Sequence, residues 1–226
     1  DSSARHIRHH TVHKASFRMS IFFSCIIDAS MMKKRRLAED EVAEEEEDTT
    51  SELIKSRGDS VYFYADVSKK NVLILLDKMF EALKFANEHE TPDRPRRVIL
   101  YLHSDGGCAY AALSALHHLE HFPCKVITVA DGFCASAATI LFMAGSERKI
   151  TPYASVLIHQ LRTSFFGKYQ DLKDEFKNST ELMTTLRGIY EKHTKMPQTL
   201  LTTCLEREEC LSAASCVEHS IAHAFA

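Results

Sequence analysis

Three short segments of this chain carry groups whose types could do chemistry together. The first is "GFCASAAT", in which Ser136 sits between Ala135 and Ala137. Small neighbours leave space around its hydroxyl. If a helix begins here, the unsatisfied amides of its first turn favour negative charge that develops nearby. A serine among alanines is also what a helix face needs to pack closely on a sheet, so this segment alone supports either a nucleophile or a packing residue. The second is "HSDGG", His103 to Gly107, directly after the apolar run "VILYL". A glycine pair there permits unusual backbone angles, close approach of a ligand, and amides aimed at an oxyanion. The same pair also suits a plain turn. The third is "VLIHQ", where His159 ends an apolar run. A histidine near its ordinary pKa is the usual base for a serine hydroxyl. At a strand end it also serves as a structural residue. Taken together, the segments read as parts for acyl transfer.

The elements that must position these groups alternate along the chain. "SVYFYADV" reads as a strand with Val61, Phe63 and Ala65 on one face. Ser68 then caps a helix whose Val72, Leu75, Leu76, Met79, Phe80 and Leu83 recur at helical spacing. "VILYLHS" reads as a continuous apolar strand, and Ala109–Glu120 as a helix. "CKVITVAD" is the next strand, followed by a turn at Asp131-Gly132 and a helix from Ala135 to Met143. "RKITPYASVLIHQ" holds two short strands around Pro152. This alternation predicts an α/β fold with a mostly parallel sheet covered by helices. In such sheets, sites gather beyond the carboxyl ends of the strands, where all three segments fall. From Lys168 the pattern is helical, with Leu172, Phe176, Ser179, Met183, Leu186 and Tyr190 on one stripe to about Thr194. Pro197 opens a further helix, and Ser212–Glu218 reads as another. His117, His118, His121 and His193 read as helix-surface residues.

Residues 1–58 differ from the rest and are expected to form a disordered tail, with the ordered domain over 59–226. The tail opens on the basic "DSSARHIRHHTVHK", without an initial Met, and Met19, Met31 and Met32 are alternative starts. Ser20–Ile27 is apolar but shorter than a bilayer span; after basic residues it has a weak reading as a signal-peptide core, weak because no A-x-A-like site follows it. Lys33–Asp48 is a basic tetrad followed by an acidic run, a solvated pattern with a weak nuclear-import reading. The 226 residues carry a net charge of −3, which gives no electrostatic case for nucleic-acid binding. No run is long enough to span a membrane as a helix. Seven cysteines without CxxC or Cys/His zinc spacing point to reduced thiols, an intracellular setting and no metal site.

From about Val61 to Phe225 the chain resembles the proteolytic subunit of the Clp protease family, and looks closest to its divergent viral and phage members. "YLHSDGG" matches the family's glycine turn, "GFCASAAT" its nucleophile segment and "LIHQ" its histidine segment. "EKHTKMP" and "LEREECLSAASCVEH" match its C-terminal helices, in the same order and at similar spacing. The resemblance implies a Clp protease/crotonase-like spiral of β-β-α units with C-terminal helices. It implies Ser136 as nucleophile, His159 as general base, and the amides of Gly107 and Ala137 as the oxyanion hole. The acid that orients the histidine falls at Glu208, where the family usually has Asp, with Glu206 and Glu209 as neighbouring competitors. Other departures are Asp105 for a proline of the glycine turn, Leu161 for a proline after His159-Gln160, and Ser220 and His223 in the closing Gly…Asp element. The implied activity is serine endopeptidase, cleaving unfolded polypeptides within stacked rings of identical subunits fed by an AAA+ unfoldase, with no cofactor. The segment "RTSFFGK" and the long helix after it resemble the handle through which two rings meet. Two other readings stay open: a catalytically impaired ring subunit, and an acyl-CoA enzyme of the crotonase-type fold.

Overall fold

In the computed structural model, residues 53–226 are described. The expectations for the basic stretch, the Ser20–Ile27 run and the acidic stretch lie outside them. The first strand, β1 (Ile54–Arg57), pairs antiparallel with β2 (Ser60–Phe63). Ordered structure therefore begins before Asp59, the boundary expected from sequence. The reason is register: Ile54 sits opposite Phe63, and both side chains are fully buried, while Lys55 and Arg57 remain outside. A strand in which a single large apolar residue faces the core leaves little periodic signal.

Helix α1 (Lys69–Glu88) starts as its sequence predicts, with the Ser68 hydroxyl accepting from the Asn71 amide at 3.2 Å. It buries Val72, Leu75, Met79 and Leu83, whereas Phe80 lies at the rim with its ring 5.2 Å from that of Phe122. β3 (Arg97–Ser104) then runs parallel to β2. Its residues alternate: Val98, Leu100 and Leu102 enter the core, while Tyr101 turns outward and stacks on Tyr62 at 4.8 Å. The run that looked continuously apolar is thus a strand buried on one face. Helix α2 (Ala109–Glu120) comes next, with the bounds expected for it.

β4 (Lys125–Ala135) is longer than its sequence suggested, because the chain continues as strand through Asp131-Gly132. Its first part pairs with β3 and β5 (Glu147–Ile150), and its last residues pair with β6 (Ser155–Leu157). Between these parts the β3–β4 register shifts, from Leu102 opposite Ala130 to Ser104 opposite Cys134. Such an irregularity bends a strand and re-aims the residues beyond it, and here the residue after β4 is Ser136. Helix α3 (Ala137–Met143) is buried throughout, and the Thr128 hydroxyl ties it to the sheet by donating to the Phe142 carbonyl at 2.8 Å. Fully burying side chains such as Leu141 and Phe142 stabilises by about 1.5–3 kcal/mol each.

The remaining elements are α4 (Tyr169–His193), α5 (Gln198–Glu206), β7 (Leu211–Ser212), α6 (Ala213–Glu218) and β8 (Ala224–Phe225). The sheet order is β1-β2-β3-β4-β5-β8, all parallel except β1, with β6 beside the far end of β4 and β7 antiparallel to β6. This is the mostly parallel α/β architecture expected. On α4 the stripe divides: Leu182, Leu186, Ile189 and Tyr190 are buried, but Phe176 is 71% exposed. The chain end closes on buried Arg148, whose guanidinium donates to the carbonyls of His193 (2.6 Å), Ile221 (2.8 Å) and Ser220 (3.0 Å). His193 is consequently not a surface residue. Its ring is half-buried beside Glu120, at 3.2 Å, and burial lowers its pKa, with Lys192 adding to the effect. Among the described residues no helix is long and apolar enough to cross a membrane.

Candidate active site

Ser136 stands at the junction of β4 and α3 with φ 53° and ψ −127°. A side-chain-bearing residue rarely adopts such angles, which cost about 1–3 kcal/mol and persist only where the surroundings enforce them. Here they do. The Ser136 amide donates to the Leu157 carbonyl of β6 at 2.8 Å. Its carbonyl accepts from the Thr139 amide at 3.0 Å and from the Thr139 hydroxyl at 2.6 Å. That hydroxyl in turn meets the buried Tyr190 hydroxyl of α4 at 2.7 Å. The sequence expectation had the helix begin at Ala135, whereas Ser136 precedes it as the cap residue. The side chain of Ser136 is half-buried and faces a cleft of about 260 Å³.

The glycine turn packs directly against the serine segment. Val67 donates to the Gly106 carbonyl and accepts from the Cys108 amide, both at 2.7 Å, so the segment before α1 clamps the turn from both sides. Gly106 has φ 99° and Gly107 φ 146°. A methyl group on Gly106 would stand 2.6 Å from Ser136 Cβ and 2.8 Å from the Ala137 nitrogen; one on Gly107 would stand 2.5 Å from the Val67 carbonyl oxygen. Only glycines allow the turn to lie this close to the serine segment. Gly107 and Ala137 both line the cleft, and among the described residues neither amide is used in a hydrogen bond.

His159 follows β6 and lines the same cleft, half-buried. Its Nδ1 lies 2.6 Å from the Gln160 carbonyl oxygen. The Gln160 amide donates to the Leu205 carbonyl of α5 at 2.8 Å, which fixes that segment. The cleft therefore brings together Ser136, His159, Gly107 and Ala137, although no hydrogen bond joins the serine and histidine side chains. Catalytic contacts are commonly loose before substrate arrives. Glu208 stands elsewhere: its exposed carboxylate accepts from Arg162, and Glu209 pairs with Arg207 at 3.6 Å. Arg162 lines the cleft and was not singled out from the sequence. The available signal was its place three residues beyond His159.

Ile140, Leu161 and Leu186 give the cleft an apolar side. Behind Ser136 the Cys134 thiol is fully buried, and burial raises its pKa, with Cys216 adding to the effect. Burial pushes the Cys216 thiol up to about 12. Both stay protonated and inert near neutral pH. The cleft lining thus includes a hydroxyl, an imidazole and two amides without hydrogen-bond partners among the described residues, the types of group that acyl transfer uses.

A family model described as Clp protease matches residues 42–224. The chain is 30% identical over 128 residues to a protein named ATP-dependent Clp protease proteolytic subunit from Deinococcus radiodurans, an alignment covering 56% of this chain and 63% of that one. It is also 30% identical over 136 residues to a protein of the same name from Dehalococcoides mccartyi, covering 59% and 67% respectively. The chain thus spans a little under two thirds of the length of the first relative and about two thirds of the second.

Proposed function

The chain belongs to the Clp protease family, and on that footing we propose that it is a serine endopeptidase acting through Ser136 and His159. His159 removes the hydroxyl proton as Ser136 attacks a peptide carbonyl. The amides of Gly107 and Ala137 hold the oxyanion, one such donor being worth about 3 kcal/mol in the transition state. His159 then protonates the leaving amine, and water releases the acyl chain by the reverse sequence. No metal or organic cofactor takes part. The observation that carries this reading is the strained Ser136 backbone, held at the mouth of a cleft that also contains His159 and two unused amides.

Unfolded polypeptides are the proposed substrates, cut inside a chamber of stacked rings of this chain, with an AAA+ unfoldase as supplier. The names of the two relatives, which include "ATP-dependent", support the unfoldase. Exposed Phe166, Tyr169 and Phe176 on and before α4 support self-association. Six free cysteines among the described residues support a reducing, intracellular setting. The test is hydrolysis of a short fluorogenic peptide with an apolar residue before the scissile bond. The purified chain cleaves it, and Ser136→Ala and His159→Ala each lose at least about a thousandfold. Equal turnover by Ser136→Ala would overturn the reading. One observation favours a second reading, an impaired ring subunit: the Glu208 carboxylate is occupied by Arg162. That reading predicts no turnover from a correctly assembled preparation.

A further inference from the structure

We propose that Arg162 is a positioning residue that holds Glu208 away from His159, so that the Gln160 carbonyl alone orients the imidazole. The proposal rests on the reading of Ser136 and His159 as the reacting pair. Its basis is the set of hydrogen bonds that joins the histidine segment to the Glu208 segment. Two segments lie side by side: Gln160 is tied to Leu205 through the main chain, and Arg162 is tied to Glu208 through side chains. His159 sits at the start of the first segment, so Glu208 comes alongside the strip of chain that carries the base. Its carboxylate accepts from Arg162 Nη2 and makes no contact with the imidazole.

The His159 ring is nonetheless not free. Its Nδ1 is 2.6 Å from the Gln160 carbonyl oxygen, and a carbonyl only accepts, so Nδ1 carries the proton. That fixes the tautomer with Nε2 as the basic nitrogen, the first task of the acid in a serine–histidine–acid triad. The second task, stabilising the imidazolium that forms, needs a negative charge, and a neutral carbonyl supplies only a dipole. The chain therefore holds an oriented base without a counter-ion, with the counter-ion parked on the neighbouring arginine.

The pair is exchangeable. The Arg162 and Glu208 side chains are 69% and 55% exposed, and exposed ion pairs are weak. Asp105 and Tyr190 line the cleft with His159, and Glu206 and Arg207 follow Leu205 in the chain. Glu206 makes no ion pair among the described residues, and Arg207 pairs with Glu209. Removing the Arg162 charge frees the Glu208 carboxylate to turn toward the neighbouring segment that carries the imidazole.

The test compares wild type, Arg162→Gln, Glu208→Gln and the double variant by two measurements. The first is a crystal structure of each. In Arg162→Gln a Glu208 oxygen comes within about 3.2 Å of His159 Nδ1, while wild type keeps the Arg162 contact. The second is the pH profile of inactivation by a fluorophosphonate. In Arg162→Gln the acid limb moves to higher pH, because a carboxylate favours the protonated ring, and the plateau rate rises about tenfold or more. The limb keeps its wild-type position in Glu208→Gln and in the double variant, which separates a new Glu208 contact from simple loss of a cation. The proposal is overturned if wild-type crystals already show Glu208 on His159, if Arg162→Gln leaves Glu208 off the ring, or if the limb shift persists in the double variant. The crystallographic outcome does not depend on turnover. A preparation that never reacts thus counts against the proposed function while the Arg162 competition is still decided.

Discussion

Gly106→Ala puts the geometry of the site under direct strain. The new methyl group would stand 2.6 Å from Ser136 Cβ, 2.7 Å from the Ala135 carbonyl oxygen and 2.8 Å from the Ala137 nitrogen. All three atoms belong to or hang directly on the backbone that holds the serine, so no flexible side chain can swing aside. Alanine at φ 99° adds a conformational cost of about 1–2 kcal/mol. Forcing a methyl group into a filled space adds about 1–3 kcal/mol. The sum, roughly 2–5 kcal/mol, lowers Tm by about 5–15 °C for a domain of this size. Relief comes by the turn backing away from Ser136, which carries the Gly107 amide out of line. The loss of one oxyanion donor costs about a hundredfold in kcat. The assay is fluorogenic-peptide turnover beside a thermal melt. Activity within about threefold of wild type and an unchanged melt would refute the reasoning, because the turn could not then be pressed against the serine segment.

Gly188→Ala is the contrasting substitution: nothing lies within 4 Å of its added Cβ on α4, so a melt should show about 0.5–1 kcal/mol of added stability with peptide turnover unchanged. Tyr190→Phe removes the buried bond to the Thr139 hydroxyl and should cost about 1 kcal/mol by denaturant titration. Thr139→Val, which also cuts the bond to the Ser136 carbonyl, should cost more and slow turnover. His223 and His193 both have pKa values lowered by burial, His223 further by Arg148 and His193 further by Lys192. Each therefore binds its proton more readily in the unfolded chain. Their contribution is full above the ordinary histidine value of about 6.5 and is lost as pH falls through the lowered folded values. The denaturation midpoint should drop as pH falls below about 6.5, and His223→Gln should flatten that drop; an equal drop in the variant would contradict the assignment.

Much of the frame was legible because it rests on local signals. Ser68 caps α1 through its own hydroxyl, and the apolar spacing of Val72, Leu75, Met79 and Leu83 is the face that reaches the sheet. The positions of Ser136 and His159 at strand ends followed from the alternation of elements. What the sequence hid was set by tertiary pairing. β1 owes its place to Ile54 meeting Phe63 across a turn, which no alternation of Lys55, Ser56 and Arg57 announces. β4 continues through Asp131-Gly132, which read as a turn, because β6 supplies a partner for Phe133–Ala135. The left-handed backbone of Ser136 is imposed by Leu157 and Thr139, so residue type gave no hint of it. Phe176 fits the apolar period of α4 yet is exposed, since periodicity marks a face without saying what covers it. The Arg162–Glu208 pair joins side chains 46 residues apart, which no local pattern announces.

The most direct test of the central claim is to map the adduct left by a fluorophosphonate on the purified chain. Mass spectrometry of the digested protein should find a single modified residue, Ser136, with no adduct in Ser136→Ala or His159→Ala. Modification at another hydroxyl, or an unmodified Ser136 in a preparation that cleaves peptide, would contradict the account.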